Sequence, residues 1–386
     1  MEGYYCRNNE QIHREKEKIM LVMDIKIDNM YGFKNFHMNM SYPKKIVDST
    51  IEGEFLQSRP NFRYKKVNII MGTNATGKTS LGKVLMAFTN YFQDGSYTRF
   101  TNIISNEQKK AELIIDFVTQ EDKLYRFSFH AEPKSEDNYT EQDTKIRLQY
   151  VEIGKRDNYE ICSAKFEKNS LFHFIDYDKV SVTGWYFTYP SDAYQKTYKT
   201  LENDNKYIQI LKAVLQTLDP SIQDVIKLQE IDNAYVVKWD DCSAIIKDGK
   251  ISDGSVLSSG TKEGLDISYI IASMYSDKHD FYYCDEVFSY VNSDIERACL
   301  SIMIDKLTDR KQLFFTTHNT DILDMQLPKH SFAFLRKNVN DSVVPVKCID
   351  ASAYLKRGSD SLKNAVENDL FCTTPDLDKI YNLSDL

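Results

Sequence analysis

The sequence predicts an α/β fold: a mixed sheet flanked by helices, with a β-hairpin and helical insertion. Three observations lead there. An apolar strand, a glycine-bearing loop and an amphipathic helix follow one another within residues 65–92. Strand and helix patterns alternate again from about residue 257, as in a mostly parallel sheet covered by helices. Between these stretches lie segments of period-two alternation, which mark half-buried antiparallel strands.

The elements can be taken in order. Residues 1–19 are a charged appendage. Alternation begins near Met23 and resumes over Phe33–Met38, giving two strands. Lys65–Met71 reads as a buried strand, and Leu81, Val84, Leu85, Phe88 and Phe92 then share one helical face. Ala111–Val118 with Leu124–His130, and Ile146–Ile153 with Tyr159–Phe166, are expected to form two hairpins. A helix carrying Ile208, Leu211, Leu215 and Leu218 stops before Pro220. Short strands follow at Tyr235–Trp239 and Ser243–Lys247. The later part offers a helix over Lys262–Tyr275, a strand over Phe281–Cys284 and a helix over Asp294–Leu307. It ends with strands at Gln312–Thr317, His330–Arg336 and Val343–Cys348.

Composition narrows the class. The 386 residues are 42% hydrophobic and 27% charged, which excludes disordered, collagen-like and disulfide-scaffold chains. No apolar run approaches the ~20 residues of a membrane helix. The polar first residues lack a signal-peptide core. The seven cysteines and seven histidines are scattered, without C-x-x-C or H-E-x-x-H. Reduced thiols in a cytoplasmic chain are therefore expected. A net charge of -8 argues against a surface devoted to nucleic acid. The pairs Lys44-Lys45, Lys65-Lys66 and Lys109-Lys110 leave room for a local DNA contact.

The strongest motif is Gly72-Thr73-Asn74-Ala75-Thr76-Gly77-Lys78-Thr79, which fits G-x-x-x-x-G-K-[ST] between a strand and a helix and, with Ser80, is the candidate nucleotide-binding segment. Its backbone N–H groups can surround phosphate oxygens, Lys78 can reach the β- and γ-phosphates of ATP, and the Thr79 hydroxyl can ligate Mg²⁺. Downstream, an apolar strand ends in Asp285 and Glu286. The first carboxylate is placed to hold Mg²⁺ and the second to polarise an attacking water. Leu257-Ser258-Ser259-Gly260 precedes a helix, where hydroxyls suit either a γ-phosphate or an N-cap. His318 closes the strand Phe314–Thr317, where it can sense the γ-phosphate or serve structure alone.

Taken in this order, the set resembles the ABC-type ATPases, and so implies a P-loop NTPase of that type. The resemblance makes Ser258-Ser259-Gly260 the signature segment, Asp285-Glu286 the Walker B pair, Ser289–Asn292 the D-loop with Asn292 in place of Asp, and His318 the switch histidine. It implies catalytic roles for Lys78, Glu286 and His318. It also implies a sandwich homodimer, or a higher homo-oligomer, in which each signature closes the other copy's nucleotide. Asp24–Phe36 is similar to the opening of RecF, SMC and OLD-type ATPases, with Tyr31 where that branch carries Arg. Leu-Ser-Ser-Gly-Thr and Phe-Phe-Thr-Thr-His-Asn look like the small ATPases of bacterial anti-phage systems, OLD-like and PARIS-type.

The resemblance covers residues 20–92 and 251–340 as two parts of one ATPase. It leaves 93–250 as a recognition insertion and 341–386 as a C-terminal extension. The gap between Lys78 and Ser258 is too short for an SMC coiled coil. The segment after His318, despite Asp376-Leu377-Asp378, is too short for a fused TOPRIM nuclease. The expectation is an ATP-hydrolysing sensor or scaffold of anti-phage defence. It would answer a phage protein and control a separate nuclease or toxin. A RecF-like, DNA-binding repair ATPase is the alternative.

Overall fold

The computed structural model describes residues 20–386 apart from 47–48, 120, 169–170, 181, 183, 190–204, 249, 252–257, 277, 339, 358–359, 373–377 and 386. The N-terminal appendage, Leu257 and Asp376 therefore lie outside the described residues.

The central sheet has six strands in the order Trp185–Thr188, Phe281–Asp285, Gln312–Thr316, Val67–Met71, Phe332–Lys337, Val346–Asp350. All neighbours are parallel except the last pair. Four of the strands are apolar almost throughout because both faces are covered. Ile70, Phe281, Tyr283 and Phe314 point to one layer, with Leu81, Val84, Leu85 and Phe88 of the helix Lys78–Asp94. Their neighbours Ile69, Met71, Tyr282, Cys284, Leu313 and Phe315 point to the other. There they meet Ile267, Ile270 and Met274 of the helix Ser259–Tyr275, and Leu300 and Met303 of the helix Ser293–Asp305.

A second six-stranded sheet, antiparallel throughout, covers the far side of the Lys78–Asp94 helix. Its order is Phe36–Asn39, Leu21–Asp28, Ala111–Val118, Lys123–Ala131, Thr144–Glu152, His173–Phe174. Phe117, Phe127 and Phe129 seal that layer. Within it Ala111–Val118, from the stretch after residue 92, pairs along Leu21–Asp28. A third unit packs the helix Asn205–Leu218 on a four-stranded sheet of Asp224–Lys227, Ala234–Lys238, Ser243–Lys247 and Lys250–Ile251. It joins the remainder through Leu265, Tyr269 and Ala272.

Two sequence expectations change. Ile146–Ile153 does not return as a strand over Tyr159–Phe166. Thr144–Glu152 instead pairs back onto Lys123–Ala131, and Tyr159–Ser163 is helical. The Asn158 side chain caps that helix by accepting from the Ile161 amide at 2.9 Å. Tyr159 and Cys162, three apart, are buried while Ile161 is 53% exposed, which is a helical and not a strand pattern. The segment 29–35 is a tight turn before the short strand Phe36–Asn39, with Asn29, Tyr31 and Asn35 in the left-handed region.

Candidate active site

The buried strand Val67–Met71 delivers its chain into the loop 72–77, and the helix begins at Lys78. Gly77 has φ 101°, which a side chain would strain, and a Cβ there would lie 2.9 Å from the Phe33 ring. The turn 29–35 thus roofs the loop. Thr76 is buried and donates to the Thr73 carbonyl at 2.8 Å, while Asn74 and Ala75 are exposed at the tip. Ser80 is half-buried in the first helical turn.

Lys78 is only 4% exposed. Its ammonium donates to the Gly72 carbonyl at 2.9 Å and lies 3.2 Å from Glu286 Oε1. Burial lowers its pKa, against the pull of Glu286 and Asp285. His318 Nε2 is 3.0 Å from Lys78 Nζ and 2.8 Å from Glu286 Oε1. These two contacts call for opposite proton placements on Nε2, so the histidine can either donate to the carboxylate or accept from the ammonium. The bond from His318 is the largest of the effects holding the Glu286 carboxyl below its ordinary value. Glu286 itself is left-handed at φ 49°.

Asp285 is fully buried. It accepts from the Thr79 hydroxyl at 2.6 Å and from the Thr316 hydroxyl at 2.7 Å, and burial raises its pKa. Two hydroxyls and a carboxylate to which, among the described residues, no side-chain nitrogen is bonded form an oxygen donor set that suits Mg²⁺. Thr316, which the sequence did not single out, also accepts from the Glu286 amide at 3.0 Å. It therefore holds the Asp285 carboxylate and the Glu286 backbone at one strand end. Tyr283, two residues earlier on the strand, donates to the Lys78 carbonyl at 2.6 Å. The strand-end threonine in Phe-Phe-Thr-Thr-His was the only available signal for Thr316.

The structure thus brings Lys78, Thr79, Asp285, Glu286 and His318 together. Ser258, Ser259 and Gly260 stand elsewhere. Ser258 caps its helix, accepting from the Thr261 amide at 3.1 Å. A Cβ on Gly260 would meet the Tyr290 carbonyl at 2.8 Å. Glu263 accepts from the Tyr290 amide at 3.0 Å. Among the described residues no hydrogen bond joins this segment to the phosphate loop. Asn292 likewise caps a helix, accepting from the Asp294 amide at 2.8 Å. A cleft of about 380 Å³ opens beside Glu286 and His318, lined further by Phe288, Ser289, Thr317 and Asn319.

The sequence matches no protein-family model and no curated protein. In structure, the chain is similar to an SMC head bound to the C-winged helix domain of ScpA. The TM-score is 0.50 at 12% identity, over 86% of this chain and 99% of that one. An SMC head with an extended coiled coil, bound to the C-terminal domain of ScpA and derived from Pyrococcus furiosus, matches with a TM-score of 0.49 at 12% identity, over 92% and 100%. The recombination mediator RecF matches with a TM-score of 0.40 at 11% identity, over 86% and 99%. The fold is that of a P-loop NTPase of the ABC-ATPase type, the architecture of SMC heads. No helix among the described residues is long and apolar enough to cross a membrane.

Proposed function

We propose that the chain binds and hydrolyses ATP, and that two copies pair around the nucleotide. The observation that carries this reading is the convergence of Lys78, Glu286 and His318 within 3.2 Å of one another at the mouth of the phosphate loop. In this reading the loop amides and Lys78 hold the phosphates. Thr79 and Asp285 hold Mg²⁺, which would neutralise charge developing on the phosphate oxygens. Glu286, kept ionised by its neighbours, accepts a proton from the attacking water, and His318 orients that water against the γ-phosphate.

The displaced signature supports pairing. Ser258 and Ser259 are exposed, and Tyr290 beside them is 63% exposed, so this face is free to meet a second copy. Segments resembling anti-phage ATPases extend the reading. ATP-driven pairing would make the chain a sensor and scaffold that answers a phage protein and holds or releases a separate nuclease or toxin. The segment 93–250 then carries recognition. Phosphate release and light scattering test the core of it. Mg²⁺-dependent turnover, and a doubled mass for Glu286→Gln with ATP, are expected. Absence of both nucleotide binding and turnover overturns it.

A further inference from the structure

Glu296 lies in the first turn of the helix Ser293–Asp305, outside the cluster just described, and only 3% of it is exposed. Its carboxylate accepts two hydrogen bonds. Thr317 Oγ1 donates to Oε1 at 2.7 Å, and Asn319 Nδ2 donates to Oε2 at 2.6 Å. The donor directions are fixed by the remaining bonds of the loop. The Thr317 oxygen accepts from the Asn319 amide at 3.0 Å, and Asn319 Oδ1 accepts from the Asp321 amide at 2.9 Å. Each of the two bonds to Glu296 is therefore made by the residue on one side of His318.

Burying a carboxylate is costly, and an apolar residue would pack this position at least as well if packing were all it did. Charge-assisted bonds are short and directional, and here both are spent on one three-residue segment. The side chain between them is 2.8 Å from Glu286. A displacement of about 1 Å would break that contact, and misplacements of this size are costly to catalysis.

We infer that Glu296 is the positioning residue for His318, clamping Thr317 and Asn319 so that the imidazole faces Glu286 and the nucleotide site. This rests on the ATPase reading. The clamp also ties the switch segment to the Glu286–Asn292 loop, because Glu296 sits one turn after Asn292, whose carbonyl accepts from the Glu296 amide at 3.0 Å. The Tyr290 amide in that loop is in turn held by Glu263 of the signature helix. Movement of the face proposed to meet a second copy is thereby linked to the histidine through bonded groups.

The test is Glu296→Gln, which keeps the shape and one acceptor. Steady-state ATP hydrolysis is measured in the wild-type and His318→Ala backgrounds. Alone, the substitution should lower kcat roughly tenfold, the order expected for one lost charge-assisted bond, with KM and nucleotide affinity unchanged. In the His318→Ala background it should cost nothing further. An unchanged kcat, a loss expressed in KM, or the same fractional loss without the histidine overturns the positioning role. Preserved nucleotide affinity shows that the variant is folded. A wild-type chain without ATP hydrolysis overturns the ATPase reading instead, and the positioning role with it.

Discussion

The Thr79 hydroxyl donates to Asp285 Oδ2 at 2.6 Å across 206 residues of sequence, tying the first turn of the phosphate-loop helix to the end of the neighbouring strand. A divalent cation on the Thr79 oxygen would use a lone pair of the hydroxyl, which can still donate to Asp285. Thr79→Val should therefore leave metal-free nucleotide affinity intact and abolish the gain that Mg²⁺ brings. Fluorescent-nucleotide titration with Mg²⁺ or EDTA reads the difference. Removing metal should also stop wild-type hydrolysis, and turnover that persists in EDTA would refute the metal assignment.

Lys78→Ala removes an ammonium that donates to the Gly72 carbonyl and approaches Glu286. Losing its charge-assisted bonds to phosphate should cost about 2–3 kcal/mol, roughly 30- to 150-fold in affinity. Calorimetric titration with ATP measures this directly. Unchanged affinity counts against the phosphate loop as the binding site.

Glu286→Gln should abolish turnover and preserve the paired, ATP-bound state. It should also change the pH dependence of the nucleotide-free protein. The bond from His318 and the charge of Lys78 hold the Glu286 pKa below its ordinary value despite burial. A lowered carboxylate pKa contributes stability that is present above the ordinary glutamate value and lost as pH falls through the lowered one. The wild type should thus melt above the variant at neutral pH, and the gap should close below about pH 4. A gap independent of pH would be inconsistent with the Lys78–Glu286–His318 electrostatics.

Gly82→Ala probes the seam between helix and strand. The added Cβ would lie 2.5 Å from the Tyr283 ring, so one of the two elements must shift. Such overpacking costs about 1–3 kcal/mol. The shift would also strain the Tyr283 bond to the Lys78 carbonyl. Urea denaturation should show the lost stability, and ATP affinity should fall with it. A variant as stable as wild type would mean that the seam is looser than this contact requires.

What the sequence made legible is what local pattern fixes. The run Val67–Met71, the glycine loop and the helical face from Leu81 to Phe88 carry their own periods, and the carboxylates of Asp285 and Glu286 end an apolar strand. Tyr159–Phe166 misled because polar and apolar residues alternate there, while the Asn158 cap selects a helix. Trp185–Thr188 escaped notice because four residues make no period, and its strand exists through pairing with Phe281–Cys284. Thr316 and Glu296 were invisible as site residues for a related reason. Their partners, Asp285 and Thr317, are 31 and 21 residues away, and only the folded sheet brings them together.

The strand Val67–Met71 lies between Gln312–Thr316 and Phe332–Lys337, both supplied by the far end of the chain. During synthesis, a buried and mostly apolar strand must therefore wait with both edges bare until well over two hundred further residues have been added. Such long-range closure slows folding and exposes the nascent chain to aggregation. The proposed nucleotide site would consequently be among the last features to be completed, and chaperone demand should track the time the ribosome takes to deliver the two outer strands.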